Sequence, residues 1–523
     1  MSTATAAPAS SAPINRTMIT ISIMLATIIQ AIDGTIANVA LPHMQGSLNA
    51  SSDQITWVLT SFIVAAAIAT PLTGWLSDRF GLKNVFLVSI AGFTVASMLC
   101  GIAGNLSEIV LARLLQGIFG AALVPLSQST LLDINPREKH GSAMAVWGMG
   151  VMVGPILGPT LGGWLTDAYD WRWCFFINVP IGAAAFFGIW KYIPRTIAKR
   201  SIRFDVFGFT ALSLAIGALQ MLLDRGQSND WFSSSETWIE AIIVFISLGC
   251  FIIHTATRPA GQTFLDYRLL YNRNFVTGLL FIFIVGMVLF ATRALMPSML
   301  QGLMQYSAMT AGIVTAPSGL GTMLAMLVVG RMVGKVDLRL ILAAGFGLTA
   351  ISLAWMCTYT IVLSQHDIIW PGIIQGIGMG LVFVPLSAAT FATLAPNLRP
   401  EGTAIYSLVR NIGSSIGIAM VQALQVANTQ KAHAGIVDSL NGGNGPLMGS
   451  PFFPGAGGGS GSSGLEALNA EVNRQASMIA YVDNFWLMFI LCLLSMPLLL
   501  LIAAPKKKLS QEEMEHDQLA AME

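Results

Sequence analysis

A chain of 523 residues that is 54% hydrophobic and 10% charged carries too few charges to cover a water-facing surface, because soluble domains hold roughly 25% charged residues. Apolar runs of about 18 residues or more, enough to cross about 30 Å of hydrocarbon as a helix, recur along the whole length, and the mean hydropathy is +0.69. These features exclude a soluble domain and define an all-α integral membrane protein of many spans. The net charge of +1 says nothing about partners and gives no reason to expect nucleic acid.

In chain order, an Ala/Ser/Pro-rich stretch (1–16) reads as a tail. The first apolar run begins near Thr17 and continues past Asp33. It is too long for a cleaved secretory signal and lacks the small-residue cleavage pattern, so it reads as a retained span. The pattern predicts about fourteen helical spans, near 17–41, 55–76, 84–104, 108–132, 142–165, 173–193, 206–223, 238–256, 276–300, 310–333, 339–363, 368–393, 403–427 and 481–503. The even count puts both termini on one side. Loops on that side hold Arg79, Lys83, Arg137, Lys139, Arg195, Lys199, Arg200, Arg203, Arg258, Arg268, Arg273, Arg331, Lys335, Arg339 and Arg399, and the tail (504–523) holds Lys506, Lys507 and Lys508. The opposite loops hold Arg172, Arg225, Lys431 and Arg474. The positive-inside rule therefore makes both termini cytoplasmic. One outer loop, 428–480, is long and contains GGNGPLMGSPFFPGAGGGSGSSG, a flexible Gly/Ser/Pro stretch.

The chain repeats itself. LLQGIFGAALVPLSQST at Leu114 matches IIQGIGMGLVFVPLSAAT at Ile373, pairing Gln116-Gly117 with Gln375-Gly376. Gly154 and Gly158 match Gly413 and Gly417, Gly74 matches Gly330, and Pro42 matches Pro297. The expected organisation is a first six-span half (17–200), two inserted spans (201–260) and a second six-span half (261–503). Parallel repeats of this kind characterise transporters that rock two halves around a midplane site. The repeat sets Gly372 opposite Arg113, Val288 opposite Asp33 and, roughly, Asn38 opposite Arg293, so Asp33 and Arg113 belong to the first half alone.

Membrane-embedded charges are rare and usually face a cavity or each other. Asp33 in span 1 and Arg113 in span 4 are candidate partners, either as a fixed ion pair that sets helix packing or as a protonatable switch. Dehydration disfavours a carboxylate and a nearby guanidinium favours it, so such a group can load and release a proton as its surroundings alternate between wet and dry. Gln30, one turn before Asp33, can hydrogen-bond either form. GWLSDRFGLKNVF offers Gly74, Asp78, Arg79, Gly81 and Lys83 in the loop between spans 2 and 3, as an ordinary positive-inside loop or a charge-latched gate. In span 5, Gly150, Gly154, Gly158 and Gly162 recur every four residues, a smooth face for tight helix contact, and Pro155 and Pro159 remove backbone donors. Arg293 in span 9 and Arg410 in span 13, with neighbouring Asn411, are further intramembrane cations that can meet an anionic substrate or a backbone carbonyl. Asn38, Gln116 and Gln375 complete the polar candidates for a substrate cavity. The five cysteines lie in apolar runs without metal-ligand spacing and read as packing residues. There is no GxxxxGK[ST] phosphate loop and no catalytic or metal constellation, so the expectation is a transporter without a cofactor, the proton being its coupling ion, rather than an enzyme.

With these motifs in place, the chain resembles the major facilitator superfamily drug:proton antiporters of the fourteen-span class. DGTIANVALP resembles the span 1 motif of that class, GWLSDRFGLKNVF its loop 2–3 motif, RLLQGIFGA its span 4 motif and GVMVGPILGPTLGG its span 5 antiporter motif. TWVLTSF, PLTGWL and MLLDRGQSNDWFSS narrow the resemblance to EmrB-type inner-membrane exporters of Gram-negative bacteria. The resemblance implies that Asp33 is the membrane-embedded acid and Arg113 the proton-coupling arginine. It also implies amphipathic drugs as substrates, and a periplasmic adaptor and an outer-membrane channel as partners. The alternatives are a stand-alone exporter of drugs, fatty acids or siderophores, and a nutrient:proton symporter, against which the span 5 Gly/Pro pattern argues.

Overall fold

The structure is a computed structural model, which describes residues 15–194, 204–259, 263–441 and 462–501. The two tails, the cations Arg195, Lys199, Arg200, Arg203, Lys506, Lys507 and Lys508, and most of the Gly/Ser/Pro-rich stretch lie outside the described residues. Among the described residues, thirteen helices are long and apolar enough to cross a membrane. They are span 1 (Arg16–Ser47), span 3 (Leu82–Ile102), span 4 (Leu106–Ile134), span 5 (His140–Ala168), span 6 (Trp173–Tyr192), span 7 (Val206–Arg225), span 8 (Ser235–Thr257), span 9 (Arg273–Leu303), span 10 (Met309–Met332), span 11 (Leu338–Met356), span 12 (Gln365–Ala392), span 13 (Arg399–Ser439) and span 14 (Glu466–Leu501). Span 2 is a bent pair, Trp57–Ala69 and Leu72–Phe80, which meet at 55°. The bend falls at Thr70-Pro71, where the proline ring removes a helix donor. All fourteen expected spans are present.

Local chemistry sets where the helices begin. Asn105 caps span 4 through its side chain, which accepts from the Glu108 amide at 2.9 Å, and Ser364 and Asp367 form a capping box at the start of span 12. Each cap satisfies donors that helix geometry leaves open. Spans 13 and 14 run further than the hydropathy predicts. Residues 428–441 and 462–480, expected as loop, are helical, and the two helices touch through His433 and Asn469 at 3.1 Å and through Gln425 and the Ser477 carbonyl at 3.1 Å. Ala, Gln, Lys and Glu there keep helix propensity after the apolar run ends, so the hydropathy drop marks the end of the apolar segment and not of the helix.

Glycines bring the helices together, and they do so in the same way twice. A Cβ on Gly117 would overlap the Phe62 carbonyl of span 2, and one on Gly376 the Ser318 carbonyl of span 10. A Cβ on Gly154 would overlap the Ala31 carbonyl of span 1, and one on Gly413 the Phe283 carbonyl of span 9. Gly158 and Gly417 likewise meet Thr35 and Met287. These pairs correct the expected register by about one turn. Ala31 answers to Phe283 and Thr35 to Met287, so Val285 rather than Val288 stands opposite Asp33, and Arg293 stands opposite Leu41 rather than Asn38. The segment between Gly286 and Pro297 is longer than the one between Gly34 and Pro42, which shifted an alignment anchored on the prolines.

Spans 7 and 8 lie to one side. Gly217 of span 7 packs against Ile68 of span 2, while span 8 presents Trp238, Ile242, Phe245 and Ile253 outward. A bundle seated on glycine contacts is sensitive to single methyl groups. Gly154→Ala is expected to destabilise the protein by about 1–3 kcal/mol through overpacking. Gly249→Ala, where a Cβ meets nothing within 4 Å, is expected to stay within about 0.5 kcal/mol of the parent. Thermal melts of the two variants in detergent check this, and equal melting would discount the span 1–span 5 seam.

Candidate functional site

Asp33 is fully buried, and three side chains from two other spans converge on its carboxyl group. Arg113 Nη1 of span 4 donates to Oδ2 at 2.6 Å, Gln116 Nε2 one turn later donates to Oδ1 at 2.8 Å, and Asn178 Nδ2 of span 6 donates to Oδ1 at 2.9 Å. A carboxylate removed from water is tolerated only when it is paired and hydrogen-bonded, and here both oxygens are met. Arg113 is satisfied as completely. Its Nε donates to the Val58 carbonyl of span 2 at 3.1 Å, its Nη1 also donates to Gln116 Oε1 at 2.9 Å, and its guanidinium lies 4.2 Å from the centre of the Phe62 ring, a cation–π distance. Asn178 is held in turn by Ser97 Oγ of span 3 at 3.0 Å.

The sequence candidates fall into groups. Asp33, Arg113 and Gln116 share this network, and Gln116 serves the carboxylate directly rather than lining a cavity. Gln30 is half-buried, and Gln116 and Asn178 take the place proposed for it. Gln30, Gly34 and Asn38 form a strip along span 1, on which Gly34 and Asn38 are exposed and a Cβ on Gly34 would meet nothing. Gly150, Gly154, Gly158 and Gly162 all press span 5 onto span 1, against Met24, Ala31, Thr35 and Ile36. Pro155 and Pro159 belong to that helix, and their side chains lie outside the described residues. In the second half, Gln375 Nε2 is buried with no hydrogen-bond partner among the described residues. Arg410 is buried, donates from Nη2 to Asn411 Oδ1 at 3.4 Å, and leaves Nε without a partner. Arg293 is half-buried and directs Nη2 at Met152 Sδ of span 5, 3.7 Å away.

The loop 2–3 motif divides between two tasks. Lys83 Nζ donates to the Trp190 and Ile193 carbonyls, both at 2.6 Å, tying span 3 to the end of span 6 inside the first half. Gly81, at φ +85°, occupies the left-handed turn between spans 2 and 3, a conformation that favours glycine. Gly74 faces the other half, since a Cβ there would lie 2.8 Å from Glu401 Cα of span 13. Asp78 and Arg79 are half-buried at the same end. Other contacts join the halves there. Arg399 Nη1 meets Asp133 Oδ1 at 2.7 Å and the Leu132 carbonyl at 3.2 Å, and Gly141 packs on Val333, while within the second half the Asp266 amide donates to Glu401 Oε1 at 2.6 Å. Further in, the Trp147 and Phe383 rings stack 5.6 Å apart across the seam. This end also carries the start of span 9 and the end of span 14, where Arg273 Nε donates to the Leu501 carbonyl at 3.2 Å. In the sequence Arg399 reads only as a loop cation, and Asp133, Glu401, Asn178 and Ser97 do not stand out as site residues. A neutral amide such as Asn178 inside an apolar run was the one available signal.

Comparison with known proteins agrees with this architecture. Residues 23–418 match the Major Facilitator Superfamily. The chain is 36% identical over 428 residues to the multidrug export protein EmrB of Haemophilus influenzae, covering 81% of this chain and 83% of that one. It is 37% identical over 409 residues to the fatty acid resistance protein FarB of Neisseria gonorrhoeae, covering 78% and 80%. The solved structure of the proton:xylose symporter XylE is similar in fold, with a TM-score of 0.58 at 14% identity over 96% of this chain and 98% of that one.

Breaking a buried pair from one side leaves an uncompensated charge. Arg113→Ala is therefore expected to lower stability by about 3–5 kcal/mol. The double variant Asp33→Asn/Arg113→Gln, which removes both charges, is expected to regain at least half of that loss in detergent melts. Additive losses would mean that the two side chains are not coupled.

Proposed function

The chain belongs to the Major Facilitator Superfamily, and from that premise we propose that it is a proton-coupled exporter of amphipathic toxic compounds in a bacterial inner membrane, with both termini cytoplasmic. The observation that carries the reading is the Asp33–Arg113 pair, sealed at 2.6 Å among neutral donors. It is a titratable carboxyl group in the half that also bears the antiporter stripe. The names of the relatives supply the class of cargo.

In the proposed cycle the structure stands in its outward-facing state. Arg399, Asp133, Gly74 and Glu401 lock the cytoplasmic end, and Asp33 is paired. A proton entering from the outer side neutralises Asp33 and frees it from Arg113. Arg113 keeps the Val58 carbonyl, Gln116 Oε1 and the Phe62 face, so its charge remains solvated by the protein. Span 1 then moves with span 5 against the second half, the cytoplasmic lock opens, and drug capture accompanies loss of the proton to the cytoplasm. One proton falling through about 100 mV supplies roughly 2.3 kcal/mol. At 1.4 kcal/mol per decade this sustains a gradient of about fifty-fold for a neutral drug. A periplasmic adaptor and an outer-membrane channel complete the proposed pump. Their binding is tested by co-purification with the full chain.

The deciding experiment is proton-driven uptake of a fluorescent amphipathic dye into inverted membrane vesicles. Asp33→Asn is expected to abolish driven uptake while dye binding persists. Undiminished uptake would reduce Asp33 to a packing residue and move the proton site elsewhere.

A further inference from the structure

Among the described residues, Arg293 is a cation without a counter-ion. It sits on span 9 one turn beyond Leu289 and two beyond Val285, on the same helical face. Both of those residues, with Met152, Met326, Met379, Phe383 and one hydroxyl residue, Thr322, line a largely apolar seam between the halves in which about 10 Å³ remains for a water-sized molecule. A guanidinium carries five donors in a planar fork. Among the described residues Arg293 meets no carboxylate, and its one hydrogen bond runs to the thioether of Met152 at 3.7 Å, a weak acceptor. Arg113, by contrast, has a carboxylate, a carbonyl, an amide and a ring face. Arg293 is half-buried, so the donors that it does not aim at Met152 are open to an anion that enters the seam.

We propose that Arg293 is a specificity-determining residue, which binds the carboxylate of amphipathic monoanions while their apolar body enters the methionine-lined seam. The inference rests on the exporter reading above and deepens it. Carboxylate and guanidinium match two oxygens to two parallel N–H donors, and unbranched methionines repack around different apolar shapes. The anion displaces Arg293 from Met152. Because Met152 lies on the helix that carries the glycine stripe, loading the site also loosens a contact between the halves. The charge of the cargo changes the energetics. A proton moving in and a monoanion moving out carry two charges in the favourable direction. About 100 mV then sustains roughly a two-thousand-fold gradient, against about fifty-fold for a neutral cargo.

The test compares dansylaminoundecanoate with its uncharged primary carboxamide, both driven into inverted vesicles by a proton gradient. The wild type is expected to transport both. Arg293→Gln is expected to raise KM for the carboxylate at least tenfold and leave the amide within about twofold, and Arg293→Lys is expected to recover part of the carboxylate affinity. An equal loss of both probes in Arg293→Gln, with Arg293→Lys behaving alike, would make Arg293 a packing residue and overturn the inference. So would an unchanged KM for the carboxylate. If the wild type carries the amide and not the carboxylate, the anion site is wrong and the exporter stands. If it carries neither, the exporter reading falls, and the inference with it.

Discussion

An ionised carboxyl group inside a membrane protein must have every lone pair answered, and much of the first half is arranged to answer those of Asp33. Its donors come from spans 4 and 6, and the arginine among them is steadied by span 2. Such convergence needs helices closer than side chains normally allow. Gly117 lets span 4 rest on the Phe62 carbonyl, which places Arg113, one turn earlier, within reach of Val58. Gly154 and Gly158 seat span 5 on Ala31 and Thr35, on either side of Asp33. Thr35 Oγ1 returns a hydrogen bond to the Gly154 carbonyl at 3.0 Å. The glycines and the charge are thus one device, because the close approach excludes the water that would otherwise solvate the carboxylate.

The second half keeps the scaffold and changes the chemistry. Gly376 and Gly413 repeat the carbonyl contacts of Gly117 and Gly154, and Gly417 rests on span 9 as Gly158 rests on span 1, but Val285 stands where Asp33 would be, and Gln375, the counterpart of Gln116, has lost the carboxylate it would serve and keeps an unpartnered amide. Its cations, Arg293 and Arg410, lie elsewhere along spans 9 and 13. A duplicated frame has therefore been divided between tasks. One half buries a complete ion pair, and the other carries two intramembrane arginines, Arg293 and Arg410, that meet no carboxylate among the described residues.

How much of this is legible in the sequence depends on the kind of signal. Charges in apolar runs are visible because they are costly, so Asp33, Arg113, Arg293 and Arg410 could all be found without coordinates. Glycines at a spacing of four are visible because they form a face. Asn178 and Ser97 are not, because a neutral polar residue in a span is compatible with many environments and only the fold brings it to Asp33. The interlock between Asp133 and Arg399 is hidden for another reason. Both stand near helix ends, where charges are expected, and their pairing depends on how two halves meet rather than on either local sequence. The glycine matches of the repeat hold in the structure, whereas the register of spans 1 and 9 rests in the sequence on Pro42 and Pro297, a pair that tolerates insertions around it, and the glycine contacts fix it instead.

Whether the Asp33–Arg113 pair is a fixed strut or a switch turns on what becomes of Arg113 when Asp33 is neutral. A guanidinium has five N–H donors, more than one carboxylate can meet, so a buried arginine needs other acceptors whether the pair is a strut or a switch. Here the Val58 carbonyl, Gln116 Oε1 and the Phe62 ring already surround it. The cation can stay in place without its anion at a smaller electrostatic penalty than a bare buried charge would suffer. Asp33 in turn keeps neutral amide partners that suit either of its protonation states. The same helix that bears Asp33 is clasped by span 5, and span 5 reaches the other half through Gly148 on Met326 and Ile156 on Gly319. A change in charge at Asp33 therefore acts on the element that joins the halves, which is the mechanical requirement of the proposed cycle.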